Sequence, residues 1–215
     1  MSWSSGKDSA YALAEVRRAG DVDVVGLVTT FATAHDRVAM HGVRRELVAR
    51  QAAAARLPLV AVELPSPCPN DAYERALASV LAAARADGVT HVVFGDLFLA
   101  DIRAYREAQL AALGMTCVFP LWGRDTARLA RDMLASGLSA RLTCIDPRHV
   151  DRALAGRTFD AALLDALPAA VDPCGERGEF HTFATHGPMF DAPIEVSAGE
   201  IVERDGFVFA DLLPV

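Results

Sequence analysis

Between residue 8 and about residue 120, apolar β-branched runs alternate with Ala/Leu/Arg stretches whose apolar positions recur at helical spacing, and Gly or Pro marks the junctions. The pattern predicts a helix over 8–19 stopped by Gly20, a strand over 22–29, a helix over 43–56 and, after Pro58, a strand over 59–64. It continues with Asn70 as the cap of a helix reaching about Ala86, a buried strand over 92–94, a helix over 102–113 ended by Gly114, and a strand over 115–119. Alternation of this kind is the βα rhythm of a parallel sheet.

After Pro120 the rhythm changes. A helix over 126–135 and a strand over 140–145 are predicted, then short helical pieces near 148–154 and 161–164, then a Gly/Pro-rich stretch with short strands. Final strands at 194–196, 200–204 and 207–210 are expected to be joined by turns at Ala198-Gly199 and Asp205-Gly206, the second a strong hairpin signal. The fold expected is α/β, with a parallel-sheet domain over 1–122 and a smaller α+β subdomain over 123–215.

Composition narrows the class. Of 215 residues, 52% are hydrophobic and 23% charged, with mean hydropathy +0.22, which excludes disorder. No apolar run approaches the ~18 residues of a membrane span and no basic-then-apolar leader opens the chain, so a soluble, unexported, cytoplasmic protein is expected. A formal charge of −7 argues against a nucleic-acid partner. Cys68, Cys117, Cys144 and Cys174 form no C-x-x-C pair, which argues against a disulfide framework and a thiolate zinc site. Nothing in the composition speaks against a homodimer.

The only lysine, Lys7, lies in Ser4-Ser5-Gly6-Lys7-Asp8-Ser9, directly before the first predicted helix. Backbone N–H groups and hydroxyls at a helix N-terminus bind anions; an ordinary Ser/Asp-capped helix is the alternative. A Walker A loop would need glycine where Met1 stands. Only Met1-Ser2-Trp3 precede the loop, so either a very short first strand or a start further upstream is expected.

The hexapeptide resembles the PP-loop, S-G-G-K-D-S, of ATP pyrophosphatases, with Ser5 in place of the usual second glycine. Three further segments resemble one family, the diphthine–ammonia ligase-like ATP-binding proteins of the adenine nucleotide alpha hydrolase superfamily. They are Met40-His41-Gly42-Val43; Gly95-Asp96-Leu97-Phe98 running into Asp101-Ile102-Arg103-Ala104-Tyr105-Arg106-Glu107; and Gly175-Glu176-Arg177-Gly178-Glu179-Phe180-His181-Thr182. The last is the most specific, and together they span nearly the whole chain in family order. The resemblance implies a HUP-like, Rossmann-related parallel sheet of about five strands to roughly residue 122.

It also implies a reaction: a substrate carboxylate attacks the α-phosphate of ATP, pyrophosphate leaves, and ammonia displaces AMP from the acyl-adenylate. Ser4, Ser5, Gly6, Lys7, Asp8 and Ser9, with His41, Gly95 and Asp96, would hold ATP. Asp8 would help place Mg²⁺, and Lys7→Ala would weaken ATP binding while leaving the fold intact. Asp101, Arg103, Arg106, Glu107, Glu176, Glu179 and His181 would form the acceptor side, with Lys7, Asp8, Glu176, Glu179 and His181 catalytic.

The residues themselves leave alternatives open. Gly95-Asp96 falls at the C-terminal end of a predicted strand, where parallel sheets bind ligands. Arg103, Arg106 and Glu107 share a helix face, yet Arg103 and Glu107 also suit a surface ion pair. Glu176, Glu179 and neutral His181 each qualify as general base, and a solvated loop is the bland reading. His91, His149 and His186 read as structural; Trp122 reads as a packing residue more readily than as one that stacks on a base. The acceptor, protein-bound or small, is open. Sulfur transfer to tRNA or a small molecule, and a non-catalytic ATP-binding module, are the other classes; Cys174 has no second cysteine close in sequence for a persulfide route.

Overall fold

The computed structural model describes residues 1–215. In chain order the elements are α1 (Lys7–Ala19), β1 (Leu27–Ala32), β2 (Arg37–Val38), α2 (Arg45–Ala54), β3 (Leu59–Leu64), α3 (Asn70–Ala86), β4 (His91–Val93), α4 (Ala100–Ala111) and β5 (Thr116–Val118). Then come α5 (Thr126–Ala135), β6 (Ser139–Ile145), a 3-10 turn (Arg152–Leu154), α6 (Ala161–Ala166), β7 (Phe180–His186), β8 (Val196–Arg204) and β9 (Phe207–Pro214). No helix is long and apolar enough to cross a membrane.

Residues 1–3 pair at one end of the parallel strands. Ser2 bridges Val28 in parallel, Trp3 N–H donates to the Val28 carbonyl at 2.8 Å, and Ser2 N–H donates to the Val93 carbonyl at 2.9 Å. Met1–Trp3 thereby join β1 to β4. With β1 parallel to β3 and β4 parallel to β5, the spatial order becomes β3, β1, N-terminal segment, β4, β5. That is the Rossmann order, and its switch point lies between the N-terminal segment and β4, where the strand ends open a crevice.

A second sheet, in the order β7-β6-β9-β8 and antiparallel throughout, forms the C-terminal half. One apolar core of 37 buried residues runs through both halves, from Trp3 and Leu13 to Phe183 and Leu212, while five more residues pack a satellite core around Leu81 and Leu110. Helix α1 is packed in this shared core and contacts β7 of the C-terminal half. Ala10, Leu13 and Val16 are buried, and Gly20, at φ 73°, ends the helix with its N–H on the Val16 carbonyl.

Several sequence expectations shift. The strand expected over 22–29 begins only at Leu27, where pairing with Leu59 begins, and runs on to Ala32. Asn70 is the first helical residue, not the cap; it gives its side-chain amide to Glu74 at 2.8 Å. Ala198-Gly199 is no turn but an irregularity within β8, where a methyl on Gly199 would sit 3.0 Å from Asp211 Cβ. The Asp205-Gly206 hairpin is present, both residues at positive φ.

Candidate functional site

The loop before α1 opens at the switch point into a cavity of about 250 Å³. Ser4, Lys7, Asp8 and Ser9 border it from the loop, Gly95, Asp96 and Arg106 from the end of β4 and from α4, and Glu176, His181 and Thr182 from the C-terminal half. The first-turn N–H groups of α1 lack helical acceptors and point their dipole here. Ser4 donates its hydroxyl to Ser9 Oγ at 3.1 Å, and Ser9 donates its own to the Gly6 carbonyl at 3.0 Å. The hydroxyls therefore stand ordered at the cavity rim.

Ser5 explains how the loop tolerates the loss of a glycine. It sits at φ 69°, in the left-handed region, fully buried, with a hydroxyl that finds no partner. The path is kept at a cost of ~1–3 kcal/mol. Ser5→Gly is expected to raise stability by about 1 kcal/mol, relief of strain and of the orphan hydroxyl outweighing the extra freedom of the unfolded chain. A thermal melt checks this; a lower midpoint for the variant would contradict it.

Gln51, fully buried, holds that strained peptide. Its amide donates to the Ser5 carbonyl at 3.0 Å and to the Ala184 carbonyl at 2.7 Å, and its oxygen accepts the Trp3 indole N–H at 2.9 Å. Strand β7 completes the clamp: Ala184 N–H donates to Ser5 O at 2.9 Å, and Lys7 N–H donates to Thr182 Oγ1 at 3.0 Å.

The Lys7 ammonium is turned inward. It meets both Asp8 carboxylate oxygens at 3.0 and 2.9 Å, donates to the Cys174 carbonyl, and lies 5.4 and 5.3 Å from the ring centres of Phe159 and Phe180. Burial pulls its pKa down, but the acidic groups around it, Asp8 foremost, together raise it, while burial raises the Asp8 carboxyl against the pull of Lys7. Glu176 accepts the Leu97 N–H at 2.7 Å, and burial pushes its carboxyl up to about 7 against the pull of that bond. Its own N–H donates to buried Asp172 at 2.9 Å.

Residues 1–116 match the diphthamide synthase N-terminal domain and residues 125–210 the diphthamide synthase C-terminal domain. The chain belongs to the diphthamide synthase family. Among curated relatives, the diphthine–ammonia ligase of Danio rerio is 32% identical over 119 residues, 52% of this chain and 46% of that protein. Those of Schizosaccharomyces pombe and Mus musculus are each 32% identical over 97 residues, covering 43% and 42% of this chain and 16% and 36% of theirs. The chain spans less than half the length of each of these curated relatives.

Against this family background, the structure brings together Ser4, Lys7, Asp8, Ser9, His41, Gly95, Asp96, Arg106, Glu176 and His181. Gly6 lies directly behind, a methyl on it meeting the Thr182 carbonyl at 3.2 Å and the His41 ring at 3.3 Å. Glu179 stands apart. It is buried, and its two oxygens accept the N–H groups of Asp172 and Arg177 at 3.0 Å each, so it closes the 172–179 loop without bordering the cavity.

Asp101 is exposed on the first turn of α4, and Glu107 pairs with Arg103 at 2.8 Å outside the cavity. Arg103 lies over Phe119 and Trp122 at 4.9 and 4.8 Å, which makes Trp122 a packing residue. Arg106, by contrast, faces Asp96 at 3.0 Å across the Phe94 ring. Gln51 and Thr182 escape sequence reasoning because their roles depend on partners 46 to 175 positions away; the F-H-T-F-A-T-H alternation is the one local signal that 180–186 is a strand.

The hydroxyls of Ser4 and Ser9 beside a helix N-terminus are chemistry that would suit a phosphate group in this cavity. No three His, Cys, Asp or Glu side chains cluster so as to hold a metal. Asp8, the loop's only carboxylate, is the residue that would hold a Mg²⁺ ion, which would supply positive charge to a departing phosphate.

Proposed function

We propose that this chain is an ATP-dependent, AMP-forming ligase that adenylates a substrate carboxylate and amidates it with ammonia. The observation that carries the reading is that an anion-binding helix terminus and a carboxylate poised near neutrality, Glu176, open into one cavity. A carboxylate oxygen of the acceptor bonds to the α-phosphorus as the bond to the bridging oxygen breaks and pyrophosphate leaves. Ammonia then attacks the acyl carbon, AMP departs, and Glu176 takes the proton. Asp96 and Arg106 face the acceptor. The names of the relatives, diphthine–ammonia ligase, support ammonia as the nucleophile.

Cysteine chemistry speaks against sulfur transfer. Burial pushes the Cys117 and Cys144 thiols to about 11 and about 12 and the Cys174 thiol further up, with Cys174 Sγ 3.5 Å from the Thr126 carbonyl. None of these thiols is a nucleophilic thiolate at neutral pH.

The test is AMP and pyrophosphate release across a panel of carboxylates at saturating ammonium. Turnover is expected to rise through about pH 7 as Glu176 loses its proton. In Glu176→Gln that rise disappears and turnover falls by ~10²-fold or more. An unchanged pH profile in the variant would remove Glu176 from proton transfer.

A further inference from the structure

Two imidazoles to which the scheme above gives no task face each other in the cavity wall. His41 and His181 stack with ring centres 4.5 Å apart and planes at 36°, and both border the cavity. His41 Nδ1 lies 3.4 Å from the Thr182 carbonyl, and its ring presses on Gly6. His181 is fixed on β7, opposite Cys144 of β6. Both rings are therefore locked against the phosphate-binding loop.

The two nitrogens of His181 differ. Nε2 is buried and has no partner, whereas Nδ1, which makes no hydrogen bond within the protein, is not buried. A neutral imidazole carries one proton. A buried N–H without an acceptor costs more than a buried lone pair without a donor, so the proton belongs on Nδ1, the accessible nitrogen. Burial, with the Lys7 charge adding to it, lowers the His181 pKa to about 4, and burial together with His181 holds His41 well below its usual value. Both rings are thus held toward the neutral form in the unliganded protein.

We propose that His181, through Nδ1–H, is a neutral and pre-oriented hydrogen-bond donor to a phosphoryl oxygen of the nucleotide held at the Ser4–Ser9 loop. A donor of this kind stabilises anionic oxygen without itself titrating, and its stacking on His41 removes the reorganisation that a mobile side chain would undergo. It also divides the labour: His181 holds charge, and Glu176 moves the proton. The inference rests on the cavity being a nucleotide site, as proposed above.

The probe is α,β-methylene-ATP, titrated calorimetrically into the full chain. His181→Phe keeps a ring to stack on His41 and deletes the donor, and His181→Leu deletes the donor with less bulk, without a ring, should the larger ring disturb packing. His181→Asn restores an N–H near the Nδ1 position. Loss of a donor to a charged oxygen is expected to weaken binding about tenfold or more in His181→Phe and His181→Leu, with His181→Asn within about threefold of wild type. Wild-type affinity in folded His181→Phe or His181→Leu overturns the inference. So does a loss in His181→Asn equal to theirs. Absence of binding by wild type overturns the nucleotide site itself, and this inference with it. Donor-dependent binding without AMP formation from any acceptor would leave the inference standing and sink the ligase reading.

Discussion

Lys7→Ala is expected to destabilise the fold by about 1.5–3 kcal/mol, the cost of losing charged hydrogen bonds from a buried ammonium to a carboxylate that is itself only partly buried. The side chain is 1% exposed. Truncation leaves the Asp8 carboxylate facing the carbonyl of Cys174 with no cation between them, and empties the space between Phe159 and Phe180. From sequence alone, Lys7 reads as a lysine reaching for phosphate whose loss spares the fold; the geometry makes it a structural tie between the loop and the C-terminal half as well. Urea denaturation measures the effect, and adding Asp8→Asn should recover part of the loss by removing the stranded charge. A midpoint unchanged in Lys7→Ala would contradict the buried pair.

Gly95→Ala should weaken nucleotide binding at least tenfold. A methyl at this position would stand 2.9 Å from both Asp8 C and Ser9 N, backbone atoms of the first turn of α1. Neither can swing aside, so the helix terminus must retreat from the end of β4, widening the cradle that phosphate needs to fit. Overpacking of this kind costs ~1–3 kcal/mol of stability. Calorimetry with α,β-methylene-ATP is expected to show affinity lowered at least tenfold, since several charge-assisted N–H contacts loosen together. Wild-type affinity in Gly95→Ala would mean that phosphate is bound elsewhere.

The parallel half of the molecule was legible because its signals are local: a 3.6-residue period ended by Gly20 or Gly114, and apolar β-branched strands after Pro58 and before Gly95. The loop was legible from its own six residues. Less visible was everything that depends on distant partners. Strand β7 lies in a stretch that reads only as Gly/Pro-rich with short strands, yet Ala184 and Thr182 bind the Ser4–Ser9 loop itself. For the same reason Glu176 and Glu179, three positions apart and alike in sequence, part company in space. One accepts a hydrogen bond from the end of the parallel sheet and borders the cavity, while the other is consumed by N–H groups of its own loop.

The most direct measurement follows oxygen. When an acceptor carboxylate labelled with ¹⁸O is amidated in the presence of ATP and ammonium, attack on the α-phosphorus moves one carboxylate oxygen into AMP. The expected result is AMP carrying one heavy oxygen, stoichiometric with amide, beside unlabelled pyrophosphate. Unlabelled AMP, or ADP with the label in inorganic phosphate, would contradict an adenylating ligase.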